Sequence, residues 1–133
     1  IVLRAPWKKI VCTPVDISLK TNLNAELLNR VKAGHSAAAN YTAKYSRLYG
    51  EYNYLWDELA AVSWLDPSLI TKSETRYMDV DLGRGAGYGN ILTWMESDKP
   101  KVEVQPVEIQ VDLDTQRFYN EFVDLLTSET PKP

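Results

Sequence analysis

The run Lys9-Ile10-Val11-Cys12-Thr13-Pro14-Val15 constrains the fold more than any other stretch of the chain. It is short, β-branched and without polar alternation, the pattern of a strand covered on both faces, and sheets of that kind belong to α/β architectures. Pro14 limits the strand, because proline cannot donate to a ladder. Asp16 to Thr21 reads as a connector. Helical spacing then takes over: Leu27, Leu28 and Val31 lie on one face of Asn24–Lys32, with Gly34 placed to end the helix. Ser36 is placed to cap a second helix running to about Tyr49, on which Tyr41, Tyr45, Leu48, Tyr49 and Tyr52 recur at three- and four-residue steps, a stripe that reads as core. Gly50 loosens that helix and leaves Glu51–Leu55 as an aromatic loop. A third helix begins near Trp56-Asp57 and stops at Leu65-Asp66-Pro67, since the residue before proline avoids helical geometry.

The second half of the chain alternates in the same way. Glu74–Leu82 has the polar/apolar alternation of a half-buried strand, four glycines from Gly83 to Gly89 make a turn, and Asn90–Met95 returns as the partner of a hairpin. Val102–Val111 carries another strand pattern, interrupted at Pro106. Asp114 is placed to start a last helix with Phe118, Phe122, Leu125 and Leu126 on one face. Strands and helices thus alternate through residues 1–128, which read as one α/β body on a mixed sheet, and Glu129–Pro133 reads as a frayed tail. The opening Ile1-Val2-Leu3-Arg4 has the look of the last turn of an amphipathic helix, which leads us to expect a piece of a longer polypeptide.

Charge and cysteine content exclude several functions. The net charge is −3 and the 15 basic residues are scattered, so neither nucleic acid nor an anionic membrane surface is an expected partner. No apolar stretch approaches a membrane span. Cys12, the single cysteine, has no internal partner and reads as a small buried hydrophobe.

The acids are the first candidates for chemistry. Asp79 and Asp81 share a face of their strand and read as a solvated surface, while Asp112 and Asp114 divide into a surface acid and a helix cap. Asp57 also stands at a helix start, where capping is the first reading, but it alone follows an aromatic run, Tyr52, Tyr54 and Trp56. A metal or substrate site is the alternative. Gly83–Gly89 lacks the following helix that a phosphate loop needs, so it reads as a hairpin connection. His35 has no second ligand or nucleophile at a recognisable spacing. Asn40-Tyr41-Thr42 is a glycosylation sequon.

At YLWDELAAVSWLDPSLIT the chain resembles the nucleoside hydrolases, the inosine-uridine-preferring N-ribohydrolase family. IVCTPVDISLKT resembles the family's apolar strand and its Pro-hydrophobe-Asp motif. ETRYMDVDLGRGAGYGNILTW resembles its two late strands, and VEIQVDLDTQRFYNEFVDLL its closing strand and helix. The resemblance spans nearly the whole chain, in order, but only the C-terminal part of the family's length. It implies hydrolysis of the N-glycosidic bond of ribonucleosides around one calcium ion, with Asp57 as a calcium ligand. Trp56 falls where purine-preferring members place a tryptophan that stacks on the departing base. Tyr52 and Tyr54 fall where the family has a mobile loop that closes over the nucleoside. The family's Asp-rich motif, which carries its other ligands and its catalytic base, has no counterpart here, and neither does its Glu-Phe-Asn ribose-binding segment. The resemblance therefore implies a partner, an N-terminal chain or segment that completes the enzyme, without which the 133 residues are inactive. It leaves a homo-oligomer open, and a binding domain without chemistry is the alternative reading. The sequon and the family's secreted members lean the compartment towards secretion.

Overall fold

The computed structural model describes residues 1–50 and 53–129. Four strands form one mixed sheet in the order β1-β4-β2-β3. β1 (Val11–Cys12) runs parallel to β4 (Gln105–Leu113), pairing Val11 with Glu108 and Cys12 with Ile109. β2 (Ile70–Val80) is antiparallel to β4 on one side and to β3 (Ile91–Trp94) on the other. The α/β expectation is borne out, and so is the late hairpin. Its glycine-rich turn is closed by Asp81 N–H to Asn90 O (2.9 Å) and Gly89 N–H to Asp81 O (2.8 Å), with Gly89 at φ +87, a conformation that glycine adopts without steric cost. Pro106 does not interrupt β4. It is the strand's second residue, opposite Tyr77, at an end where a missing N–H costs little.

β1 departs from its expected form. It is two residues long rather than seven, and Val11 and Cys12 are only half-buried. A strand needs neighbours to be long, and among the described residues β4 is the one strand beside it. Cys12 is accordingly less buried than expected, although burial still pushes its thiol pKa up and away from the reactive thiolate. The stretch expected as a connector contains one helical turn, α1 (Val15–Ser18), whose Ser18 Oγ donates to Pro14 O at 3.2 Å and whose Ile17 is fully buried.

The remaining helices are α2 (Ala25–Lys32), α3 (Ala37–Tyr45), α4 (Trp56–Leu65) and α5 (Thr115–Thr127). Caps set three of their starts. Asn24 Oδ1 accepts from Leu27 N–H, Ser36 Oγ from Ala39 N–H and Asp114 Oδ1 from Arg117 N–H. Gly34 lets α2 turn closely beneath α5, since a Cβ there would stand 2.5 Å from Thr127 Cγ2. α3 ends at Tyr45, four residues short of the expected end, and its tyrosine stripe is not core. Its one buried residue is Ala39, and Tyr41, Tyr45 and Tyr49 point outward. On α5 the row Phe118, Phe122, Leu126 meets the core together with Val123, and Leu125, expected inside, is half exposed. The core lies among α1, α2, α4 and α5 and the end of β4, around Leu27, Val31, Leu59, Leu113 and Phe118. No helix among the described residues is long and apolar enough to cross a membrane.

Candidate functional site at the start of the fourth helix

Leu55 is buried and anchors the chain where it enters α4. Trp56 and Asp57 are then the first two helical residues, and both side chains face outward. The N-cap of α4 is Leu55, which has no side-chain acceptor, so this start differs from the three capped ones. Asp57 is not a cap. No hydrogen bond or ion pair engages its carboxylate among the described residues, and its structural contribution is the favourable placement of a negative charge in a first helical turn.

Trp56 is 42% exposed. The Tyr54 ring stands edge-on to the indole, with centroids 5.1 Å apart and planes at 62°. Two of the aromatic residues singled out in the sequence, Tyr54 and Trp56, are thus brought together beside Asp57. Tyr52 lies outside the described residues. An exposed indole in edge-to-face contact with a neighbouring ring and followed by an unengaged carboxylate is a surface that can stack on a planar group and bind a cation or hydroxyl beside it.

The other aspartates singled out in the sequence are engaged elsewhere, while Glu58 shares the first turn of α4 with Asp57. Asp79 is paired with Arg4, whose hydrogen bond holds the carboxyl below the usual carboxylate range. Asp81 Oδ1 accepts from Gly83 N–H at 2.8 Å within the hairpin turn. Asp112 pairs with Lys20 at 2.7 Å and its pKa is lowered by that hydrogen bond. His35 is exposed, and its carbonyl accepts from Asn40 Nδ2 at 3.2 Å. No group of three or more His, Cys, Asp or Glu side chains with metal-binding geometry occurs among the described residues. Calcium takes about six to eight oxygen ligands, so the described residues do not form a calcium site by themselves.

A second feature escaped the sequence reading. The outer side of α4 and the open side of β1 enclose a groove of about 870 Å³, lined by Val11, Thr13, Ala61, Trp64, Leu65 and Ile70 among others. Its floor carries the buried Gln110, whose Oε1 accepts from Thr13 Oγ1 (2.7 Å) and Ser63 Oγ (3.3 Å). Trp64 is 75% exposed on its wall. The signal was present in the residues: after Glu58, Ser63 is the only polar side chain of α4, and a helix apolar on all sides is a helix meant to be covered on all sides.

No family model and no curated protein sequence matches the chain. Solved structures do match. A plant nucleoside hydrolase superposes with a TM-score of 0.75 at 20% identity, over 90% of this chain and 42% of its own. An inosine-guanosine nucleoside hydrolase gives a TM-score of 0.76 at 14% identity, over 94% of this chain and 41% of its own. A purine-preferring ribonucleoside hydrolase from Gardnerella vaginalis gives 0.65 at 21%, over 90% of this chain and 40% of its own. The chain therefore has the fold of the C-terminal part of a nucleoside hydrolase and spans about two-fifths of the length of the structures it matches.

Proposed function

We propose that this chain is part of a purine-leaning nucleoside N-ribohydrolase. In this reading Trp56 forms the wall on which the departing base stacks, Asp57 contributes one calcium ligand, and a further polypeptide supplies the remaining ligands and the catalytic base. The observation that carries the reading is the adjacency of an exposed indole and an unengaged carboxylate in the first turn of α4, in a chain with this fold.

The chemistry asks for these two groups. Cleavage of the N-glycosidic bond breaks the bond between the anomeric carbon and the base nitrogen while water adds to the carbon, through an oxocarbenium-like state as in other glycoside hydrolysis. The base must leave with a proton. An indole N–H does not supply one at neutral pH. Solvent water supplies the proton, and stacking on the electron-rich face of Trp56 favours the ring-protonated purine that departs. Tyr54 limits the rotation of that face, and the carboxylate of Asp57 would hold one position of the calcium ion. Calcium, when bound, would orient the ribose hydroxyls and the attacking water.

The groove beside β1 supports the need for a completing polypeptide. Among the described residues it leaves Trp64 and the strand edge bare on the side where a parallel sheet is normally continued. The lack of a metal-binding cluster among the described residues leaves one other reading, a nucleoside-binding domain without turnover.

The reading is tested by Trp56→Ala in the complete assembly. Purine nucleosides should lose about a hundredfold in kcat/KM, with far less loss on a ribosyl substrate whose leaving group is already activated, such as p-nitrophenyl riboside. Equal losses on both would remove the stacking role. Heat of nucleoside binding without turnover, measured by calorimetry, would favour the binding domain.

A further inference from the structure

The segment that delivers Trp56 to the surface is clamped at successive positions. Asn22 pairs with Tyr54 through an isolated antiparallel bridge. Leu23 N–H donates to Asn53 O at 2.8 Å, and Asn53 N–H donates to Asn22 Oδ1 at 2.9 Å. The buried Thr21 directs its hydroxyl at the carbonyl oxygens of Ser18 (2.8 Å) and Leu55 (3.3 Å). From the opposite side, Asn22 N–H donates to Tyr119 Oη at 2.8 Å, and the Tyr119 ring rests against Phe118 in the core of α5. Asn22 thus uses its backbone and its side chain at once. It joins the entry to α4, through residues 53 and 54, to Tyr119 of α5.

We infer that Asn22 is a positioning residue that sets the plane of the Trp56 indole. The link runs through two steps of fixed geometry. Asn22 fixes the backbone of Asn53 and Tyr54, and the Tyr54 ring then meets Trp56 edge-on at 5.1 Å. An edge-to-face contact favours a narrow range of ring orientations, so a shift of the Tyr54 backbone turns the indole. Trp56 is the first helical residue, where few intrahelical bonds restrain it. Asn53 spreads the clamp further, since its Oδ1 accepts from Tyr49 N–H (2.6 Å) and its Nδ2 donates to Gly50 O (3.2 Å). The clamp therefore also ties the end of the segment after α3 to the base-stacking face. The catalytic consequence rests on the nucleoside hydrolase reading, whereas the ring geometry stands apart from it.

The two are separable in one experiment. The chain has four tryptophans, so its indole N–H groups give four NMR signals, and Trp56→Phe identifies the one of Trp56. Asn22→Ala in the 133-residue chain should move or broaden that signal and remove the Tyr54–Trp56 ring contact, leaving Trp7, Trp64 and Trp94 in place. Asn22→Asp keeps an acceptor for Asn53 N–H and should restore it. Tyr119→Phe, which removes one hydroxyl and leaves the ring, should shift the same signal and carries the test if Asn22→Ala does not fold. In the complete assembly Asn22→Ala should lower kcat on inosine about tenfold with KM nearly unchanged and leave p-nitrophenyl riboside turnover almost intact. An unmoved Trp56 signal in both variants, or a common shift of all four indoles, overturns the positioning role. A wild-type assembly without activity on nucleosides refutes the proposed function and leaves the NMR result to decide the clamp.

Discussion

At the scale of the residue, Asp57 shows how far local chemistry can be read. Aspartate at a helix start reads first as a cap, and the structure removes that reading because α4 starts on Leu55 without a side-chain cap. The contrast with Asp114, which does cap α5, gives a prediction about stability. Asp114→Ala should cost about 1 kcal/mol, whereas Asp57→Ala should cost only the few tenths expected from a charge in the first turn. Thermal unfolding of the two variants measures the difference, and an equal loss would restore Asp57 to the role of cap. Trp56 was legible as a candidate because it precedes that acid after an aromatic run. Its contact with Tyr54 was not legible, because the backbone of Tyr54 is paired with Asn22, thirty-odd positions away, across the fold.

At the scale of the element, periodicity found the helices and failed where partners are missing. Leu27, Leu28 and Val31 identify α2 and its buried face correctly. The tyrosine stripe misled for α3, since three- and four-residue spacing marks a face but does not say what lies against it. Only Ala39 meets the core there, and small side chains carry little signal. β1 misled in the opposite sense. Its apolar run calls for cover on both faces, and the described residues supply a neighbour on one edge alone. α4 tells the same story, with Trp64 and Leu65 bare on a wall of the groove. An apolar groove of that kind favours association, so the isolated chain should self-associate, and Trp64→Lys should reduce the association in sedimentation velocity and block docking of the proposed completing polypeptide. Unchanged sedimentation would show that the groove is not the sticky surface. Close packing between elements makes a second prediction. Gly34→Ala pushes a Cβ into Thr127, whose hydroxyl is tied to Val123 O at 2.9 Å, so it should cost about 1–3 kcal/mol. A neutral effect on the melting temperature would show that α5 yields.

At the scale of the whole molecule, the ion pairs set a pH dependence with a definite sign. Hydrogen bonds from Ser68 lower the pKa of Asp66, and those from Arg4, Lys20 and Arg76 lower those of Asp79, Asp112 and Glu74. A carboxyl depressed in the folded state stabilises above its unfolded pKa, about 4, and that stabilisation is lost as pH falls through the lower folded value. Melting temperature should therefore hold from neutral pH to about 5 on account of these groups and decline below about 4. The decline should be small, because the pairs are at the surface, and smaller still in high salt. The fold as a whole was readable because the order of strands and helices survives in their patterns. The site was readable only in part, because in the proposed function Trp56 and Asp57 form one side of it. The most direct test of that division is the hydrolysis of inosine with calcium present, measured on the 133-residue chain alone and on the complete assembly. The account predicts turnover in the assembly, lost on calcium chelation, and none in the isolated chain; turnover by the isolated chain at the assembly's rate would contradict it.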